Sequence, residues 1–313
     1  MTNMKAVRIH SYGGSNVLTY EDVPRPDPGE GEVLIRVHAT SINPFDVALR
    51  SGYLVEHFDH TLPLILGIDV SGVVEQTGPN TNSFSPGDAV FTKTGVFRDG
   101  AYAEYVVVPA VDVVAKPPSL DHHHAAALPH VTITAWGALF DLGNLQEAHT
   151  VLIHGASGGV GHIAVQLAKW RGAHVIGTAS ENIDLLDSLG VDHAINYTEA
   201  AFEDHVHDVD VVLDTIGGET LQRSWGTLKP GGTLVSLLEQ PQQEIAEEYG
   251  VNPAMLWSHP PTGETLKTVS QLVGDGTIKP VVSTILPLEE IKKGHQIIES
   301  KHARGKIVIQ VAS

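Results

Sequence analysis

The sequence predicts an α/β protein in two parts: a compact β-rich region and a doubly wound parallel sheet with helices on both faces. Three observations predict it. Short β-branched runs separated by turn clusters fill the first third. From about Thr150, strands and helices alternate, which implies a parallel sheet covered on both sides. The 313 residues suit two domains of roughly 150 residues, each able to bury a core without staples.

Taken in order, Lys5–His10 reads as a strand. It follows Met1–Asn3 directly, with no apolar targeting segment between. Val33–Ala39, Val70–Gln76, Ala89–Thr92 and Ala101–Val108 are further strands. Pro24–Gly31, Gly78–Asn82 and Ser85–Asp88 are turns between them. This spacing suits a barrel or sandwich. The texture changes near Lys116-Pro117-Pro118, and Ser119 or Asp121 caps a helix from about His122. Ala125–Phe140 carries no Asp, Glu, Lys or Arg but is too short and polar to span a bilayer. Strand Val151–His154 then leads into helix Val160–Arg171, and strand His174–Thr178 into helix Asn182–Leu189. His193–Tyr197 is a short strand. Val209–Asp214 is followed by a helix around Thr220–Leu228, and Thr233–Leu238 closes the set. A helical stretch Leu266–Val273, a break at Gly274-Asp275-Gly276, a helix Leu288–Ser300 and a strand Lys306–Val311 complete the chain.

Composition excludes several functions. The chain has 19 Lys+Arg against 37 Asp+Glu, a formal net charge of −18. That argues against nucleic acid and against docking on anionic membranes. With no cysteine there is no disulfide, thiolate metal site, iron–sulfur cluster or cysteine nucleophile. A cytoplasmic enzyme or binding protein is expected.

The sharpest motif is strand, glycine turn and helix over Val151–Lys169, in which Ala156, Gly158 and Gly161 take the three positions of the dinucleotide fingerprint. Gly158 would let backbone approach a pyrophosphate, and Gly161 would let the helix pack on the strand. Ser157 lies in the same turn. The N–H groups of Gly159 and Val160 would face phosphates at the positive end of the helix. At the end of the second strand a carboxylate would bind the NAD ribose and repel a 2′-phosphate. Ala179 stands there, between the hydroxyls of Thr178 and Ser180. NADPH is therefore expected over NADH. Against this, Glu181 follows at once, and Ser180 has the alternative of capping the next helix. Ile216 and the Leu237–Leu238 backbone end the fourth and fifth strands, where ligands of such sheets bind.

Residues along the whole chain resemble one family. His154–Lys169 resembles the signature of the medium-chain dehydrogenase/reductase superfamily, in its zinc-free quinone oxidoreductase (zeta-crystallin-like) branch with the alkenal and enone reductases. Ser41–Asp46 resembles that branch's "INPxD" element, followed by Arg50–Tyr53. Pro63–Gly72, Gly100–Val107, Ala125–Trp136 and His302–Val311 resemble it in order and spacing. The resemblance implies a GroES-like catalytic domain, 1–121 and 278–313, with a Rossmann domain, 122–277, inserted, and nicotinamide and substrate in the cleft between. It implies that Asn43 lines the nicotinamide ribose, that Tyr53 supplies an oxyanion hydrogen bond or proton, and that Thr134 contacts nicotinamide or its phosphates. It places Tyr197 near the adenosine phosphate and lets Lys306, with Arg304, bring positive charge from the other domain. Zinc-bearing relatives carry Cys near Pro44 and Gly-His-Glu where this chain has Gly67-Ile68-Asp69, so no zinc is expected. His122, His123 and His124 diverge around a helix start and cannot make one tetrahedral site.

The function expected is zinc-independent hydride transfer from NADPH to a quinone or an α,β-unsaturated carbonyl. The acceptor pocket is expected around Phe45, Tyr53, His130, Leu237 and Met255–Trp257. A homodimer is the family's usual state. The alternatives are an NADH-preferring reductase of the same fold, or a nucleotide-binding scaffold or sensor with little turnover.

Overall fold

The computed structural model describes residues 2–312 apart from 59, 181, 258, 259, 261, 301 and 302. Glu181 and His302, used above, lie outside the described residues. The chain groups into two compact units. One holds Met1–His130, Pro260–Gly276 and Pro280–Ser313, the other Val131–His259 and Thr277–Lys279.

The second unit is built on six parallel strands. Across the sheet they run His193–Asn196, His174–Ala179, Thr150–Ile153, Val209–Asp214, Leu228–Ser236 and Asn252–Met255. That order is third, second, first, fourth, fifth, sixth. The direction of winding reverses between the first and fourth strands, and ligands of such sheets bind outside the carboxyl ends at this point. Leu152, Val212, Leu234, Phe202 and Trp225 are buried together in the core. The expected helix around Thr220–Leu228 is Glu219–Ser224 plus one tight turn, Trp225–Thr227, and Leu228 already pairs with Val209 as strand. The fifth strand stops at Ser236, so Leu237 and Leu238 belong to the turn after it.

The first unit holds two sheets. Leu18–Pro24, Asn3–Ile9 and Leu64–Ile65 make one. The other runs Val282–Pro287, Lys306–Gln310, Glu32–Ile42, Asp69–Thr77, Ala89–Lys93 and Val114–Ala115, with Tyr105–Pro109 also paired to Glu32–Ile42. The expected strand Ala101–Val108 begins only at Tyr105. Before it, Ala101 and Tyr102 donate to Gly67 O and Leu66 O at 2.8 and 2.9 Å, so that segment pairs with a loop. The helix expected from His122 spans His122–Ala126 and packs on Glu32–Ile42 and Asp69–Thr77 of this unit. Its N-cap is Asp121, whose carboxylate accepts the His124 N–H at 2.8 Å. The strands Glu32–Ile42, Asp69–Thr77 and Lys306–Gln310 bring Ile42, Asp69 and Lys306 to one end of the sheet. No helix among the described residues is long and apolar enough to cross a membrane.

Candidate functional site

In the second unit the chain leaves Ile153, turns, and enters helix Gly161–Trp170. Two glycines allow this. Gly155 has φ +65°, and a Cβ on it would sit 2.5 Å from Thr215 Oγ1. A Cβ on Gly161 would lie 2.2 Å from Gly155 O, so only glycine lets the helix start come this close to the strand end. The sequence reading opened the fingerprint at Ala156. The left-handed turn is made one residue earlier, at Gly155. Ala156 is buried and donates its N–H to Thr178 O at 3.0 Å. Ser157, Gly158, Gly159 and Val160 are half-buried. Gly158 donates to Gly155 O at 2.9 Å, whereas among the described residues no protein acceptor takes the N–H of Ser157, Gly159 or Val160. Three unspent N–H groups before a helix suit an anion.

The residues around this turn separate into those that face outward and those that hold it. Thr178 is buried, and its Oγ1 lies 3.1 Å from His154 Nδ1. His154 Nε2 lies 2.9 Å from Ser224 Oγ, which itself donates to Thr220 O at 2.6 Å. The Ser224 proton is thus committed, so the network assigns Nε2–H as donor and Nδ1 as acceptor of the Thr178 hydroxyl. Burial pushes His154 down to about 3, which keeps it neutral. The Thr178 hydroxyl proton is therefore spent inside the fold. This corrects the expectation that it serves a 2′-phosphate. Ser180 is half-buried and makes no hydrogen bond among the described residues. The following helix takes Asn182 as its N-cap, so Ser180 does not cap it. Tyr197 is 55% exposed and donates its N–H to Ala179 O at 3.1 Å, beside Ser180. Thr134 is buried in helix Pro129–Trp136.

Asp214 is buried and holds the far side of the turn. It accepts the N–H groups of Ile216 and Gly217 at 3.0 and 2.9 Å and the Ser236 hydroxyl at 2.9 Å. Thr215 Oγ1 donates to His154 O at 2.8 Å, tying the fourth strand's end to the first. The result leaves Ile216 and Leu238 half exposed, while Leu237 donates its N–H to Asp214 O at 3.0 Å.

The first unit carries a buried polar cluster where its strands converge. Lys306 Nζ donates to Asn43 Oδ1 at 2.5 Å and Ile42 O at 3.3 Å, and lies 3.4 Å from Asp69 Oδ2. Asn43 Nδ2 donates to Asp69 Oδ2 at 2.9 Å and Asp46 Oδ2 at 3.3 Å. Ser41 Oγ also donates to Asp69 Oδ2, and the His130 N–H to Asp69 Oδ1 at 2.7 Å. Asp46 accepts the N–H groups of Asn43 at 2.8 Å and Gly67 at 3.2 Å. Asn43, Asp46, Asp69 and Lys306 are all at most 2% exposed.

The Asn43 amide has both ends committed within the cluster and no exposed surface. Lys306 is not a surface cation reaching a phosphate. Burying it in water's absence forces it to pair, and Asp69 is its partner. Tyr53, by contrast, is 73% exposed. Burial raises the Asp46 carboxyl to about 7, against help from the Asn43 N–H and with the Asp69 charge adding to the rise. Burial works on Asp69 in the same direction, but the Lys306 charge and the hydrogen bonds from Asn43 and Ser41 hold it below the ordinary carboxylate value. Burial lowers Lys306 despite Asp69, and lowers Lys93 to about 8.

Sequence reasoning quoted Asp46, Asp69, His154 and Asp214 inside motifs but gave none a role. A signal was present: each interrupts or ends a strongly apolar run, where a polar group must find a partner.

Residues 29–118 match the family model described as alcohol dehydrogenase GroES-like domain, and 189–309 the one described as zinc-binding dehydrogenase. The donor set does not suit zinc. The chain has no cysteine, and among the described residues no group of three or more His, Asp or Glu is arranged to hold a metal ion. Asp46 and Asp69 already accept from N–H groups and an ammonium. The chain is 33% identical to the zebrafish (Danio rerio) protein named NAD(P)H oxidoreductase RTN4IP1, mitochondrial, over 99% of this chain and 92% of that one. It is 31% identical to the human (Homo sapiens) protein named quinone oxidoreductase, over 98% and 97%. The solved structure of the quinone oxidoreductase from Coxiella burnetii superposes with a TM-score of 0.91 at 34% identity, covering 99% of this chain and all (100%) of that one.

Proposed function

This chain belongs to the medium-chain dehydrogenase/reductase superfamily, in its quinone oxidoreductase branch, and from that premise we propose that it is a zinc-independent, NADPH-dependent oxidoreductase. Its acceptor would be a quinone or an α,β-unsaturated carbonyl. The observation that carries the reading is the set of unspent N–H groups at Ser157, Gly159 and Val160, at the winding reversal of a parallel sheet. These would hold the pyrophosphate, with the Gly155 and Gly161 close approaches keeping the cradle clear of side chains. Ser180 and Tyr197 would meet the adenosine end. The exposed Ile216 and Leu238 side chains would pack against the rest of the cofactor and keep water from it. A bound reduced nicotinamide supplies the hydride. The exposed Tyr53 phenol would donate a hydrogen bond or proton to the oxygen of the reduced acceptor. Lys306 and Asp69 act through Asn43 and the His130 backbone as positioning residues.

Titration with NADPH and NADH, followed by turnover over quinones and enones, tests this. Binding without oxidation across both acceptor classes would sink the enzyme reading. One observation favours a second reading, an NADH-preferring reductase. With Thr178 bonded to His154, Ser180 is left alone to hydrogen-bond a 2′-phosphate at that strand end. Tighter binding of NADH than NADPH would establish it.

A further inference from the structure

The consecutive histidines part company at the start of helix His122–Ala126. His124 stays with the capping Asp121, its Nδ1 2.8 Å from that carboxylate. His122 turns toward the sheet of the first unit. Its Nδ1 lies 2.8 Å from Ser71 Oγ, and its ring stacks on His38 with centroids 4.4 Å apart and planes 24° apart. A bulge in strand Glu32–Ile42 makes this possible. Val37 pairs with Gly72 and Ala39 with Ser71, so His38 between them has no partner on that strand. A bulge of this kind re-aims a side chain. The His38 backbone is fixed from the other side, where its carbonyl accepts the Val311 N–H at 2.9 Å.

Both rings are set to stay neutral. His38 Nε2 is buried without a hydrogen-bond partner. In a neutral ring that nitrogen is a bare lone pair. A charged ring would place an N–H where nothing among the described residues accepts it. His122 stands in the first turn of its helix, the end that disfavours a cation. Burial lowers both rings, His122 to about 4. The charges around them add to this. Arg36, from the same strand as His38, and His123, from the helix, act against a proton on His38. On His122, Lys116 and His123 act against one and Asp121 favours it. The helix also rests on Ala39, Val308 and Val282, which carry no charge.

We propose that His38 and His122 form an acid-sensitive latch: stacked and neutral they hold the start of helix His122–Ala126 on the sheet, and a proton on either ring releases it. The latch holds above the ordinary histidine value near 6.5 and lets go as pH falls toward 4.

Hydrogen–deuterium exchange on the full chain tests it. The amides of Ala125, Ala127 and Leu128 bond to Asp121 O, His124 O and Ala125 O and report the helix. Corrected for intrinsic exchange, their protection is expected to fall about tenfold or more from pH 7 to pH 5. His38→Phe keeps a stacked ring and breaks no bond at Nε2, and His122→Gln keeps a polar side chain beside Ser71. Each variant is expected to remove most of the fall, and circular dichroism checks that each is folded. Protection in the parent that holds to pH 5, or a fall that persists in both variants, overturns the latch. A fall of the same size in strand Val209–Asp214 would mark general acid unfolding and overturn it too.

Discussion

The nucleotide turn of the second unit and the polar cluster of the first are built from similar materials and end in opposite states. Around Gly155–Gly161 the backbone leaves three N–H groups unspent and half-buried. Around Asn43 the named side chains are closed off and bonded to one another. The first arrangement is a place for something to bind. The second is a joint, locking the ends of three strands by one ion pair and one amide. The difference teaches that a polar motif marks a site only when its donors remain free. Buried charge is expensive, so a cluster that is both charged and dry has already found its partners.

The largest expected effect breaks the joint. Lys306→Met leaves Asp69 and Asn43 Oδ1 unpaired, and urea unfolding should show a loss of about 3–5 kcal/mol, with Lys306→Met/Asp69→Asn recovering part. A loss below about 1 kcal/mol, the range of exposed pairs, would mean the cluster is not a joint. Next comes the open site. Gly161→Val forces a side chain against Gly155 O. It should cost about 1–3 kcal/mol and weaken NADPH about tenfold or more in a fluorescence titration. Unchanged affinity would put the pyrophosphate elsewhere.

The two regions should also answer pH in opposite senses. With its folded value raised to about 7, Asp46 keeps a proton between about pH 4 and 7 that the unfolded chain has released. This carboxyl therefore lowers stability as pH rises through that window. His154, held down to about 3, does the reverse. Its contribution is complete above its ordinary value near 6.5 and is lost as pH falls toward 3. The stability of Asp46→Asn relative to the parent should therefore climb from pH 4 to 7, measured by unfolding at each pH. A flat difference would remove the assignment. The smallest effect separates two neighbouring hydroxyls. Thr178→Ala should cost about 1 kcal/mol of stability and leave the ratio of NADPH to NADH affinity alone. Ser180→Ala should leave stability alone and shift that ratio toward NADH. The opposite pattern would reverse the roles given to the two residues.

Much of the architecture was legible in the sequence. Val209–Asp214 was read to the residue, because a near-continuous apolar run has one use in a parallel sheet. The strands missed, Leu18–Pro24, Leu64–Ile65, Val114–Ala115, Asn252–Met255 and Val282–Pro287, each lie at the edge of a sheet. Leu18–Pro24 buries only Leu18 and Val23, and Val282–Pro287 only Leu286. Edge strands need little apolar surface, so they leave little pattern. The site divided along the same line. The glycine turn announced itself, since only glycine permits its backbone. Asn43, Thr178 and Lys306 were found as residues but not as buried partners of other side chains, because their burial depends on strands far away in sequence.

By itself, the sequence determined the order of elements, the alternation that makes a parallel sheet, the place of the turn and the absence of thiol chemistry. These follow from local periodicity, backbone permission and composition. Only the tertiary structure decided which polar groups are free. It brought Lys306 to Asn43, 263 residues apart in the chain, and His154 to Ser224, 70 apart. A donor's availability depends on who stands beside it once water is excluded, and that is a property of the packed chain.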